Sequence, residues 1–371
     1  ILDEIRGKQG HLYLDTESLI NLGLKMLNEK IPIPGMRLSK KEVEEVLQGM
    51  ILSGTVVLCH DNIYLPRIFD LEDSTARLIA KRLVFASEVE HIAPLMEQIK
   101  KEMGIYLSTK QDKAVRMAFR HNLTIITGSP GTGKTTVLKT ILEVYRRQHT
   151  DGKIMLMAPT GRASRRMAES TGFEEAKTLH SGLGLGSEED ENGRKKEDSL
   201  LTADLIIVDE FSMVDMWLAK QLFQRLKDDC RIVLVGDADQ LPSVGAGNVF
   251  HELIECGLIP VTMLDEIFRQ AKDSLIAHNA KFINEGSTNL YYGPDFVFYT
   301  CNNQNEAAEK IMECYCNEIA ESGIERVQIL SPFRAEGAAS AEQLNEVIRE
   351  MVNPFCSAEE EIKLGPKIFR V

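Results

Sequence analysis

The chain has 371 residues, 43% apolar and 27% charged, with a formal net charge of −13. That length suits two or three domains with a real core, and no apolar run approaches the ~20 residues that cross a bilayer. The acidic balance argues against coating nucleic acid by bulk attraction but leaves room for a local basic groove.

Residues 16–66 read as helix, helix, hairpin. "SKKEVEEVLQGMILSG" carries a capping box, Ser39 followed three residues later by Glu42, with Gly54 as a stop. "TVVLCHDNIYLP" reads as two short strands around Asp61 and Asn62. Together they predict a small winged-helix-like module. Its second helix offers Lys40 and Lys41 only at its start, which favours packing or a partner over DNA reading. Residues 72–103 are helical in pattern, with an interruption predicted near Pro94.

The texture changes at Leu123. Five short apolar runs follow, "LTIIT", "KIMLMAP", "DLIIVDE", "RIVLVGD" and "VTML", separated by helical patterns. Continuous apolar strands alternating with helices predict a parallel sheet covered on both faces, hence an α/β fold. A sixth run, "VQILSP" at Val327, is expected to open another α/β unit. Residues 184–199, "GLGSEEDENGRKKEDS", read either as a solvated loop or as a protruding hairpin turning at Asn192 and Gly193.

Gly128, Gly133, Lys134 and Thr135 fit G-x-x-x-x-G-K-[ST], between a strand and an amphipathic helix. Glycines let backbone N–H groups approach phosphates, and the helix start adds partial positive charge. Lys134 neutralises the β- and γ-phosphates of ATP, and the Thr135 hydroxyl ligates Mg²⁺. Pro130, Gly131, Thr132 and Thr136 complete the loop. "LIIVDE" supplies Asp209 for the metal and Glu210 as general base toward water, although an acidic pair ending a strand also suits a solvated edge or a helix N-cap. Gln240, in "VGDADQLPSVGAGNVF", is placed to sense the γ-phosphate or to be an ordinary loop residue. Thr160, Arg162, Arg165 and Arg166 form a basic cluster after the second strand, suited to backbone phosphates or equally to a solvated helix face. His180 in "TLH" is uninformative alone. The seven cysteines are scattered, with only Cys314 and Cys316 close together, and predict reduced thiols in the cytoplasm rather than zinc or a disulfide frame.

In order, "GSPGTGKTT", "APTGRASRRM", "KTLH", "IIVDEFSMVD", "VGDADQLPSVGAG" and "LDEIFRQ" resemble the motifs of superfamily 1B helicases, specifically the RecD-like DNA helicases of the stand-alone bacterial type. The likeness runs from about Gln111 onward. It implies a RecA-like P-loop domain over residues 101–264, after an N-terminal, mostly helical domain over 1–100. An incomplete second RecA-like domain is implied over 265–371. Carried over by position, Gln111 reads adenine, Lys134 and Thr135 hold phosphate and Mg²⁺, and Asp209 and Glu210 hold metal and water. Gln240 senses the γ-phosphate, and Arg269 reaches it from the facing domain. Pro159, Thr160, Arg162, Thr178 and His180 fall on motifs that touch single-stranded DNA, and residues 184–199 fall where the family has a pin that splits the duplex.

The resemblance implies an ATP-dependent helicase moving 5′ to 3′ on single-stranded DNA and meeting duplex junctions, in the cytoplasm and without a membrane. Phe211 departs from the small residue common at its position, and the pin region is more acidic than its DNA role suits. The family's late motifs, including a second cleft arginine, are absent. With its start lacking Met and its end in "KIFRV", the chain is expected to be a piece of a longer protein, with weak ATPase of its own. Two rival readings stand beside the helicase. One is a DNA-stimulated ATPase that remodels protein–DNA complexes; the other is a non-motor binding subunit.

Overall fold

The computed structural model describes residues 1–29, 31, 36–83, 92–173, 175–185, 199–266, 274–355, 361–364 and 367–370. At the N-terminus β1 (Tyr13–Asp15), β2 (Val57–Cys59) and β3 (Asn62–Tyr64) form an antiparallel sheet ordered β1-β3-β2. Helices Thr16–Glu29 and Lys40–Leu52 lie between its first two strands, giving the expected winged-helix-like order. The capping box closes as read: Glu42 N–H donates to Ser39 Oγ at 3.3 Å, and Ser39 N–H donates to Glu42 Oε2 at 2.8 Å. Lys40 and Lys41 lie near Glu17 and Glu45, at 3.7 and 3.9 Å.

Helix Pro66–Ala80 begins on its proline, where φ is already set for a helix. The predicted break near Pro94 falls earlier. Helix Ile92–Met103 carries Pro94 as its third residue, where a missing N–H forfeits no intrahelical bond.

β4 (Leu123–Gly128), β5 (Ile154–Ala158), β6 (Ala176–Thr178), β7 (Leu205–Val208), β8 (Arg231–Gly236) and β9 (Val261–Leu264) form a parallel sheet ordered β6-β5-β7-β8-β4-β9. All five apolar runs became strands. The added one, β6, is a three-residue edge strand "AKT" that pairs with β5.

The other five strands are largely apolar because successive side chains face opposite covered surfaces. Leu123, Ile125, Ile206, Val208, Ile232 and Leu234 join one core with Leu218, Leu222 and Phe223 of helix Met216–Phe223. Ile126, Leu205, Ile207, Val233 and Val235 join the other. There they meet Phe119 of helix Thr109–Arg120 and Val137 and Ile141 of helix Lys134–Gln148. Each such side chain contributes about 1.5–3 kcal/mol by burial, so the sheet is the rigid frame from which the strand-end loops hang.

The N-terminal segment packs on the first of these cores. Ile79 belongs to it, and Leu12, Leu71, Leu78 and Leu83 lie against it. Arg82, buried, donates to the carbonyls of Leu226 at 2.7 Å and Asp228 at 3.0 Å, and also to that of Lys227. Residues 1–277 accordingly form one compact unit and residues 278–371 another.

In the second unit, helix Gln304–Ser322 is capped by Asn303, and helix Ala341–Val352 by Ser340. The Asn279 amide exchanges two hydrogen bonds with the Tyr291 backbone, at 2.6 and 2.9 Å. β10 (Glu361–Leu364) and β11 (Lys367–Arg370) pair antiparallel. The strand expected at "VQILSP" does not form, since residues 327–331 pair with no strand among the described residues. An apolar run becomes a strand only where a neighbour takes its backbone hydrogen bonds. No helix among the described residues is long and apolar enough to cross a membrane.

Candidate functional site

Parallel strands place all their C-terminal ends on one edge, where α/β proteins bind ligands. Along that edge the sheet order sets Thr178 at the end of β6, Thr160 after β5, Asp209 and Glu210 after β7, Asp237 after β8, and the glycine-rich loop at the end of β4.

The loop is shaped by its glycines. Gly131 and Gly133 both have φ of 82°, a left-handed conformation that glycine adopts without strain. Gly128 tolerates no side chain: an added Cβ would lie 2.5 Å from the Leu264 carbonyl oxygen and 2.7 Å from Thr132 Oγ1. Thr132 is buried, its hydroxyl donating to the Ser129 carbonyl at 2.8 Å, while Pro130, Gly131 and Thr135 are exposed. Lys134 Nζ folds back onto the Gly128 and Ser129 carbonyls, holding a positive charge at the mouth of the loop. A glycine-shaped loop with an ammonium at its mouth and a helix N-terminus behind it fits a chain of phosphates. Thr136 begins the buried side of the helix by accepting a hydrogen bond from Thr140 Oγ1 at 2.8 Å.

Gln111 is 1% exposed and fully engaged. Its Oε1 accepts from Ser108 N–H at 2.9 Å, closing a capping box, and its Nε2 donates to the Thr132 carbonyl at 3.0 Å. Gln111, which the resemblance assigns to the adenine base, tethers the phosphate loop to helix Thr109–Arg120 in the structure. The S-x-x-Q spacing carried that signal.

Burial pushes the Asp209 carboxyl above its ordinary range, against the opposing pull of the Glu210 N–H, Lys134 and Arg166. Burial first, then the Asp209 charge, pushes Glu210 up as well. Asp209 Oδ1 accepts from Glu210 N–H at 2.9 Å. Glu210 has φ of 52°, uncommon for a residue with a Cβ and a local strain of about 1–3 kcal/mol. Phe211, the departure in this motif, is buried with its ring centroid 6.0 Å from that of Phe250. The ring is taken up in the core that backs the acidic turn.

Asp237 is buried and organises the next turn. Its Oδ1 accepts from Asp239 N–H at 3.1 Å and its Oδ2 from the Gln240 side chain at 3.5 Å. Gln240 itself is exposed, with its Nε2 directed to Asp237.

Thr160 and Thr178 are N-caps. Their hydroxyls accept from Ala163 N–H at 3.2 Å and Ser181 N–H at 3.1 Å, which leaves each O–H proton to donate outward. Pro159 is half-buried, and Arg162 and His180 are exposed. The His180 ring lies 6.4 Å from that of Trp217, the only tryptophan in the chain and a residue that pattern reading passed over. Arg269 and all but Gly184, Leu185 and Ser199 of the pin segment lie outside the described residues.

Residues 111–246 match the family described as an AAA domain. Over 292 residues the chain is 30% identical to the ATP-dependent RecD2 DNA helicase of Deinococcus radiodurans, covering 79% of this chain and 39% of that protein. It is 36% identical over 166 residues to the RecBCD enzyme subunit RecD of Mycolicibacterium smegmatis, covering 39% of this chain and 30% of the relative. Among solved structures, the Pif1 helicase from Candida albicans is similar at 25% identity with a TM-score of 0.38, over 57% of this chain and 55% of that one. The chain thus spans well under half the length of these two curated relatives, 39% and 30%.

Proposed function

We propose that this RecD-like chain carries the ATP-binding motor lobe, residues 101–264, of a DNA helicase that moves 5′ to 3′ along single-stranded DNA. The observation that supports it most is the shared sheet edge. One edge carries the phosphate cradle at Gly128–Lys134, the acidic pair Asp209 and Glu210, the Asp237–Gln240 turn, and the Thr160 and Thr178 caps.

On this reading Lys134 swings from the loop carbonyls to the β- and γ-phosphates. Thr135 and Asp209 would hold Mg²⁺, which when bound neutralises phosphate charge. Glu210, with its raised affinity for a proton, accepts one from the attacking water. Gln240 exchanges its Asp237 partner for the γ-phosphate, so that nucleotide state is felt one turn from the core. Arg269 supplies the facing positive charge. Thr160, Arg162, Thr178 and His180 grip single-stranded DNA, and the pin separates strands at a duplex junction. DNA as the track makes the cytoplasm the working compartment.

ATP hydrolysis with and without single-stranded DNA, together with strand displacement on a duplex with a 5′ overhang, tests the proposal. Lys134→Ala is expected to abolish DNA-stimulated turnover and to leave the melting temperature near that of the parent. Normal hydrolysis by that variant would remove the site assignment. Hydrolysis that leaves the duplex intact would favour the remodelling ATPase.

A further inference from the structure

We propose that Trp217, with His180 beside it, is a stacking platform for one unpaired base of the bound strand. This rests on the single-stranded DNA reading above and adds to it a residue that no motif assigned.

Trp217 lies in the first turn of helix Met216–Phe223, whose neighbours Met216, Leu218, Ala219 and Leu222 are buried, yet its own side chain is 46% exposed. The largest apolar side chain of this helix therefore faces solvent on an element with a well-filled inner face. His180 is also exposed, and the two rings stand 6.4 Å apart with 35° between their planes. That separation is at the wide end for an aromatic pair, so the pair does not satisfy itself by close stacking.

The surroundings select the occupant. An exposed aromatic patch beside acidic or neutral groups would suit a protein partner. This one adjoins the Thr178 cap, and an added Cβ on Gly161 would lie 4.0 Å from Thr178 Cγ2. Gly161 opens the helix that carries Arg162 and Arg165, both exposed. The helix that bears these arginines thus starts beside Thr178, two residues before His180, whose ring neighbours that of Trp217. Backbone grip beside a π-face is how sequence-tolerant single-strand sites are built. A base stacks here by its face, which all four share, so the platform holds the strand without reading it.

Because Trp217 is the sole tryptophan, its emission reports on this position alone. Titration with an oligothymidylate, followed by tryptophan emission and by anisotropy of a labelled strand, is the test. Stacking predicts quenching that tracks binding. Trp217→Ala is expected to weaken binding on the order of tenfold, whereas Trp217→Phe retains most of it. The parent protein should also bind an abasic strand more weakly than oligothymidylate, a preference that Trp217→Ala reduces.

Oligothymidylate binding without quenching, and unchanged in Trp217→Ala, would overturn the platform while the DNA reading stands. No binding of single-stranded DNA by the parent protein would overturn both. Equal loss in the Phe and Ala variants, with unchanged melting temperatures, would also overturn stacking as the source.

Discussion

Glu210 combines a left-handed backbone with a carboxyl whose proton affinity is raised by burial and by the neighbouring Asp209 charge. A raised carboxyl pKa means that the folded state holds the proton more tightly than the unfolded chain does. Stability is therefore lost as pH rises from the unfolded value, about 4.3, through the higher folded value. Glu210→Gln removes that charge while keeping size and backbone. It should melt higher than the parent at pH 8, with the difference shrinking as pH falls and vanishing below about pH 4, where both states of the parent are protonated. Turnover should fall by about 10²–10⁴ in the same variant if Glu210 is the general base. Thermal melts across this pH range, paired with ATPase rates, decide it; a variant less stable than the parent at pH 8 contradicts the electrostatic account.

The helix Thr109–Arg120 shows how an element can brace a site through one side chain. Gln111 spans from the Ser108 cap to the Thr132 carbonyl, so the helix start and the phosphate loop move together. Gln111→Glu separates its two bonds. The carboxylate still accepts from Ser108 N–H, as glutamate does in many capping boxes, but it cannot donate to Thr132. Stability should fall by about 1–3 kcal/mol, because the second carboxylate oxygen would be buried facing the Thr132 carbonyl with no donor, while nucleotide affinity drops roughly 2- to 10-fold, the worth of one hydrogen bond. A loop tether predicts equal losses for ATP and GTP in a binding titration, whereas a loss confined to ATP would show that Gln111 reads the base. The sequence displayed the Ser108-to-Gln111 spacing, but whether that amide faces a ligand or a loop depends on packing no local pattern encodes. The same limit explains the strands. Burial on both faces forces an unbroken apolar run, so β4, β5, β7, β8 and β9 were legible. The edge strand β6, with Lys177 at its centre, carried no such mark. "VQILSP" carried the mark without a neighbour to pair with among the described residues. The P-loop, the acidic pair and the Gln240 turn were readable as motifs, while the proximity of His180 to Trp217 emerges only once the chain is folded.

At the scale of the whole unit formed by residues 1–277, the N-terminal segment is continuous with the core of the parallel sheet rather than appended to it. Leu12, Leu71, Leu78 and Leu83 rest on the same apolar cluster that backs β4, β7 and β8. Gly247 N–H also donates to the Gly10 carbonyl at 2.9 Å, within the loop that follows Gln240. Arg82 is the polar fastener. Its guanidinium serves the carbonyls of Leu226, Lys227 and Asp228 in the turn after helix Met216–Phe223. Arg82→Ala removes donors to three buried or half-buried carbonyls, and leaving such groups unsatisfied costs about 1–3 kcal/mol each. The contiguous core means that this loss should be felt across residues 1–277 at once. A single transition, lowered in temperature and reported alike by Trp217 emission and by nucleotide-protected melting, is the expected outcome. An early transition confined to the first 80 residues, with the nucleotide-protected melt unshifted, would show instead that the segment is a separable domain.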